Sequence, residues 1–248
     1  MKTNLSHRLT NRGFTLVELL VTITIIAALA GLTFSVATRS KQAAISARTI
    51  SNLREIGAAN GMWMAENNNF YPSCWNNNQN TSYAQLLDPY MHSTDTYRRL
   101  DSRFIGPNKR IPLQVNGYSH PMTYSMNKAV CPDVSQSSKN APKVSLVHAS
   151  RVANPTGVIL MADGCQNPGN MGQSSAGDHR VDSAVGQTGT ASQSSTPIPV
   201  GPDVDTAAGD GYFRYANGKC HALMCDGSAQ VFLKGKILKR NIWIGTTD

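Results

Sequence analysis

From Phe14 to Ala37 the chain runs 24 residues with a single charge, Glu18. As a helix this run is long enough to cross the hydrocarbon layer, which takes about 20 apolar residues. Lys2, Arg8 and Arg12 precede it, so the short N-terminus is expected to stay in the cytoplasm and the rest to be exported. A secretory signal peptide is the competing reading, with "SVA" at 35–37 as its small-residue cleavage site. The run is longer than the about 7–15 residues usual there, and it contains a carboxylate. A charge at the bilayer centre costs about 2.5–3.5 kcal/mol on insertion scales, so Glu18 calls for a compensating partner.

The helical pattern does not stop at the membrane. No proline occurs from Ser35 to Glu66, and Ala43, Ala44, Ala47, Ile50, Leu53, Ile56, Ala59 and Trp63 recur at threes and fours. That spacing predicts an amphipathic continuation over 38–66, with Arg39, Lys41, Arg48, Arg54 and Glu55 off the apolar face. "ENNNFYP", with Pro72, ends it. The whole helix has about 50 residues, roughly 75–80 Å at 1.5 Å each. Its second half needs a sheet to lie on.

The rest of the chain is loop-rich. "SYAQLLDPY" (82–90) suggests one short helix, and residues 122–127, 157–164, 212–216, 220–227 and 229–235 read as strands. Asp226-Gly227 between two apolar runs predicts a hairpin turn. Residues 167–210 are rich in Gly, Ser, Thr, Asn and Gln and lack a hydrophobic period. They read as a long polar excursion rather than a domain.

Charge excludes little but does not favour nucleic acid. Removing Lys2, Arg8 and Arg12 lowers the 23 basic residues to 20 against 15 acidic ones, a net +5. That excess is scattered, at Arg98, Arg99, Lys109, Arg110, Lys234, Lys236, Lys239 and Arg240 among others. No basic run interleaves with aromatics as a nucleic-acid groove requires. Five cysteines, Cys74, Cys131, Cys165, Cys220 and Cys225, allow disulfides in an exported domain, and the odd number leaves at least one outside any intrachain bridge. Cys220 and Cys225, five apart in a strand, point to opposite faces and are not expected to bridge each other.

Enzyme and metal signals are weak. His148, Asp163, His179, Asp182, Asp210, His221 and Asp226 stand in no H-E-x-x-H, G-x-S-x-G or phosphate-loop arrangement. Asp163-Gly164 and Asp226-Gly227 each follow an apolar strand and are read as turns. Asp203, Asp205 and Asp210 in "GPDVDTAAGDG" are calcium candidates by ligand type but lack EF-hand spacing. No catalytic residue and no cofactor is assigned.

Read together, Gly13, Phe14, Thr15, Leu16 and Glu18 in "RGFTLVELLVTITIIAALAGL" resemble the N-terminus of the type IV prepilin and type II secretion pseudopilin family. The resemblance implies that a membrane prepilin peptidase cuts after Gly13 and methylates the new amine of Phe14. It also implies an assembly role for Glu18. The physics agrees. Glycine at 13 leaves the backbone unobstructed in a protease site. The freed Phe14 amine is positive, and the helix N-terminus itself favours a carboxylate. In a filament, Glu18 of one subunit would meet the Phe14 amine of its neighbour in a low-dielectric core. A carboxylate that only reaches back to the headgroups is the simpler alternative.

Weaker similarity extends through "SNLREIGAANGMWMAENNNFYP", "HPMTYSMNKAV" and "SRVANPTGVILMADG" to exported relatives with large C-terminal domains. Those relatives carry a His, nine residues, then Asp-Gly. Asn217, Gly218, Asp226 and Gly227 fit that pattern, but Ala216 occupies the histidine position and His221 is no substitute. Many relatives also have a proline near position 35, where this chain has Ser35.

The expectation is an α+β, pilin-like fold, a long N-terminal helix packed on a small antiparallel sheet. Its parts are a leader at 1–13, a membrane and filament-core helix at 14–37, an amphipathic continuation at 38–66 and an exported domain at 67–248. Function is expected to be structural, as a subunit of a type II pseudopilus or type IV pilus-like filament in the bacterial inner membrane. Expected partners are the prepilin peptidase, other pilin or pseudopilin subunits, the inner-membrane assembly platform and the lipid bilayer, with no nucleic acid. The alternative is a single-pass anchored binding protein or enzyme that uses the prepilin signal for targeting.

Overall fold

Helix α1, Leu16–Glu66, is one uninterrupted element of 51 residues. The computed structural model describes residues 14–76, 81–91, 102–109, 111, 122–134, 146–167, 188–189, 192, 194–201 and 213–246. The chain divides into two compact units at Ala44/Ile45. In the first, every described residue is exposed. From Ile45 onward the helix belongs to the second unit, where Thr49, Asn52, Leu53, Ile56, Gly57, Ala59 and Asn60 are buried. The helix ends at Glu66 as its stop signals predict, and Asn68 and Asn69 take positive φ (52° and 58°) just beyond it. Asparagine tolerates that region better than most residues.

The other elements follow in chain order: β1 Trp75–Asn76, β2 Thr81–Ser82, α2 Tyr83–Leu87, β3 Tyr124–Met126, β4 Ile159–Asp163, β5 Thr188–Gly189, β6 Lys219–Met224, β7 Ala229–Leu233 and β8 Gly245–Thr246. A four-stranded antiparallel sheet has the order β3-β4-β6-β7. Two smaller pairs, β1 with β2 and β5 with β8, stand apart from it. The architecture is the expected α+β, pilin-like one.

The sheet has a core on each face. Leu160, Met161 and Leu223 pack with Leu53, Ile56 and Ala59 of α1. Ile159, Ala162, Cys220, Ala222 and Met224 pack with Phe213, Tyr215, Ile237, Ile242 and Trp243. Strict alternation would put Leu160 and Met161 on opposite faces. The register of β4 against β6 shifts between Ile159 and Met161, and that irregularity lets two consecutive side chains enter one core. Trp63 and Met64 pack against the helix-side core, as the sequence suggested.

The predicted apolar stripe meets the sheet through Leu53, Ile56 and Ala59, but it does not reach back to the alanines, and polar residues join it. Ala43, Ala44 and Ala47 are exposed, while Thr49, Asn52 and Asn60 are buried. Each polar intruder with a recorded bond has a specific partner. Thr49 Oγ1 donates to Ile45 O at 2.9 Å, and Tyr83 Oη donates to Asn60 Oδ1 at 3.0 Å. Gly57 lies where the helix comes close to the sheet. A Cβ there would lie 2.8 Å from Leu223 Cδ1 and 3.0 Å from the Gly227 carbonyl.

Turns differ from expectation in kind. Asn217 and Gly218 both take positive φ (52° and 77°) and join Ala216 to Lys219, as a two-residue type I′ hairpin turn needs. At the β6–β7 turn only Gly227 does so, at 85°. The Gly227 N–H donates to Met224 O at 3.0 Å and Ser228 N–H to Asp226 Oδ1 at 2.9 Å. That is a longer loop closed by one left-handed glycine. Phe213 and Ala216 form isolated bridges in place of the expected strand. The predicted helix at 82–90 is α2 followed by a 3-10 turn at Asp88–Tyr90, where Pro89 removes a helical donor.

Candidate functional site

The N-terminal segment starts with a reciprocal cap. Thr15 donates through its backbone N–H (2.9 Å) and its hydroxyl (2.8 Å) to Glu18 Oε2, and the Glu18 N–H donates to Thr15 Oγ1 at 3.2 Å. This is a capping box, with a threonine at the cap and a glutamate three residues on. Both bonds to Glu18 fall on one oxygen. Glu18 therefore has a local role that sequence reasoning missed, although Thr-x-x-Glu before an apolar run was its visible signal.

Beyond the cap, side-chain polarity is neutralised residue by residue. The hydroxyls of Thr22, Thr24, Thr33, Ser35 and Thr38 donate to carbonyls three or four residues back, at 2.8–3.0 Å. A hydroxyl bonded this way needs no water. Phe14, Leu16, Val17, Leu19, Leu20, Val21, Ile23, Ile25, Ile26, Leu29, Leu32, Phe34 and Val36 are all exposed, Phe14 by 75%. Large contiguous apolar surface marks a membrane or protein contact, and α1 is long and apolar enough to cross a membrane.

A second group of polar residues lies inside the folded unit. His221 on β6 places its Nδ1 2.7 Å from Asp163 Oδ2, and its backbone N–H donates to the same oxygen at 3.0 Å. Ser46 Oγ of α1 lies 2.7 Å from His221 Nε2. An ionised carboxylate only accepts, so Nδ1 carries the proton and, on a neutral ring, Nε2 accepts from Ser46. Asp163 and His221 are 1% and 3% exposed. The order serine, histidine, carboxylate is that of a nucleophile relay. Acyl transfer also needs preorganised N–H donors beside the nucleophile; among the described residues, the backbone around Ser46 lies within α1, whose N–H groups serve the helix. What the geometry does supply is a polar tie between α1, β6 and β4.

Arg214, 1% exposed, adjoins this group. Its N–H donates to Asp163 O at 2.8 Å and its Nη2 to Asn108 O at 2.7 Å. Tyr124 records both charges: burial, then Asp163, push its hydroxyl well up, while Arg214 pulls the other way.

The structure separates the residues singled out from sequence. Phe14 and Glu18 lie at the start of α1, whereas Gly13, Asp203, Asp205 and Asp210 lie outside the described residues, as do His179 and Asp182. Asp163-Gly164 is not a turn: Asp163 ends β4 and Gly164 bridges to Phe213. Asp226 is a turn residue. Cys220 and Cys225 sit in the two different cores, on opposite faces as expected. Among the described residues no group of three or more His, Cys, Asp or Glu converges to hold a metal.

A long helix, bare and apolar at its start and seated on an antiparallel sheet at its end, defines a pilin-like chain. Residues 8–34 match the prokaryotic N-terminal methylation motif, so the chain carries a prepilin-type N-terminal segment. No curated protein and no solved structure matches it.

Proposed function

We propose that the chain is a structural subunit of a type II secretion pseudopilus or type IV pilus-like filament. In this reading prepilin peptidase cuts after Gly13 and methylates Phe14. The observation that carries it is the coincidence of the methylation motif at 8–34 with an apolar helical start that the chain leaves uncovered. Before assembly lipid covers that surface, with the N-terminus cytoplasmic and the domain exported. After assembly the helices of neighbouring subunits cover it. The chain is then an enzyme's substrate and not itself an enzyme.

Glu18 holds two roles in this scheme. Its Oε2 caps the helix through Thr15, and its charge compensates the Phe14 amine of the next subunit. Gln fits a capping box as well as Glu does but brings no charge. Glu18→Gln and Glu18→Ala are therefore both expected to abolish filaments in the host while leaving peptidase cleavage intact. Filaments formed by Glu18→Gln but not Glu18→Ala would reduce Glu18 to a cap. Intact-mass analysis of the membrane-extracted chain tests the processing: a start at methylated Phe14 is expected, and a start at Met1 or after Ala37 overturns the scheme.

A further inference from the structure

All five cysteines are buried and the structure records none of them in a disulfide; three of them gather under the second half of α1. Cys74, Cys131 and Cys225 belong to one core with Tyr71 and Tyr83. We propose that Cys74 and Cys131 form a disulfide in the exported protein, with Cys225 remaining a thiol. The proposal rests on the reading that the chain beyond the membrane helix leaves the cytoplasm, since disulfides persist in oxidising compartments.

Backbone geometry brings the two segments together. The Cys74 N–H donates to the carbonyl of Pro132, the residue after Cys131, at 3.2 Å. Two residues on, the Val134 N–H donates to Trp75 O at 2.8 Å, and Asn76 bridges Val134. The segments carrying Cys74 and Cys131 thus run side by side in direct contact. Disulfides require that adjacency, because alpha carbons more than about 7 Å apart cannot be joined without moving the backbone. Both residues are 0% exposed.

Cys225 approaches from elsewhere. It follows β6, donates its N–H to Val158 O at 2.9 Å and accepts the Tyr71 hydroxyl on its carbonyl at 3.1 Å. Burial pushes the Cys131 thiol far up, with Cys74 and then Cys225 as further causes. The three sulfurs do not form a metal-binding group.

The chemistry closes. The two thiols lose two protons and two electrons to a disulfide-carrying protein oxidant of the exported compartment, which leaves as its dithiol. One S–S bond forms and one breaks. The product would clamp the segment after α1 to the loop after β3.

The test uses the full chain extracted from host membranes, denatured in the presence of an alkylating agent with and without prior reduction. Its start is read by mass, and disulfide-linked peptides are mapped. A start at Phe14 with a Cys74–Cys131 linked peptide supports the proposal. The same start with every thiol alkylated before reduction, or with Cys225 in the linked pair, overturns it and leaves the export reading standing. A start at Met1 with every thiol alkylated overturns both. As a second readout, Cys225→Ser should leave the linked peptide unchanged, and its loss would count against the assignment.

Discussion

Gly57 of α1 presses against the β6–β7 turn so closely that its missing side chain has nowhere to go. A Cβ would lie 2.8 Å from Leu223 Cδ1, 3.0 Å from the Gly227 carbonyl and 3.3 Å from the Gly227 alpha carbon. Leu223 has a flexible end, but the Gly227 backbone cannot step aside without disturbing the turn. Gly57→Ala should therefore destabilise the domain by about 1–3 kcal/mol, the range for overpacking, despite alanine's better helix propensity. Gly61, one turn on, has open space around it. There the same substitution should raise stability, by up to about 1 kcal/mol. Thermal denaturation of the two variants checks the contrast, and equal shifts would contradict the close approach.

The tie between helix and sheet predicts an order of losses. His221→Ala removes the ring that binds Asp163 Oδ2 at 2.7 Å and should cost about 3 kcal/mol, because it leaves a buried carboxylate short of a donor. Ser46→Ala gives up one partly exposed bond and should cost about 1 kcal/mol. In a double-mutant cycle the two losses should fall short of additive, since Ser46 bonds the histidine itself.

Removing the N-terminal cap should act locally. Thr15→Ala deletes the hydroxyl that donates to Glu18 and accepts from its N–H, a loss of about 1 kcal/mol in helix stability. Amide exchange should quicken in the first turn of α1, with the residues from Ile45 onward unaffected.

Alkaline pH should unfold the domain. Burial pushes the Cys225 thiol up to about 12 and drives Cys220, Tyr71 and Tyr83 upward as well. In the unfolded chain these groups ionise near their ordinary values, about 8.5 for cysteine and 10 for tyrosine. The folded state then holds more protons, so stability is full below about pH 8.5 and falls as pH rises toward 12. Denaturant midpoints measured across that window should drop steadily. A flat profile would mean that these side chains meet water in the folded state.

Much of α1 was legible because its signals are local. A charge-poor run, a proline-free amphipathic stretch and an asparagine-rich stop gave its existence and its end at Glu66. Thr15 and Asn217-Gly218 also carry locally readable cap and turn chemistry. What could not be read depends on partners distant in the chain. Thr49, Asn52 and Asn60 look like solvent-facing residues, yet they lie buried in α1, because the seat on the sheet turns that stripe inward. Asp163 follows an apolar strand and precedes a glycine, which locally spells a turn. Only the arrival of β6 makes it the acceptor for His221. Nothing near Ser46 announces a histidine 175 positions away.

That separation sets a timetable for biogenesis. Ser46 leaves the ribosome 175 residues before His221, an interval of roughly 9–35 s at about 5–20 residues per second. Helix α1 is synthesised early, while β6 and β7, which complete the sheet its second half packs on, are synthesised near the end. Throughout that wait Leu53 and Ile56 have only β3 and β4 to pack on, so the core beneath the helix is completed by the last strands of the chain.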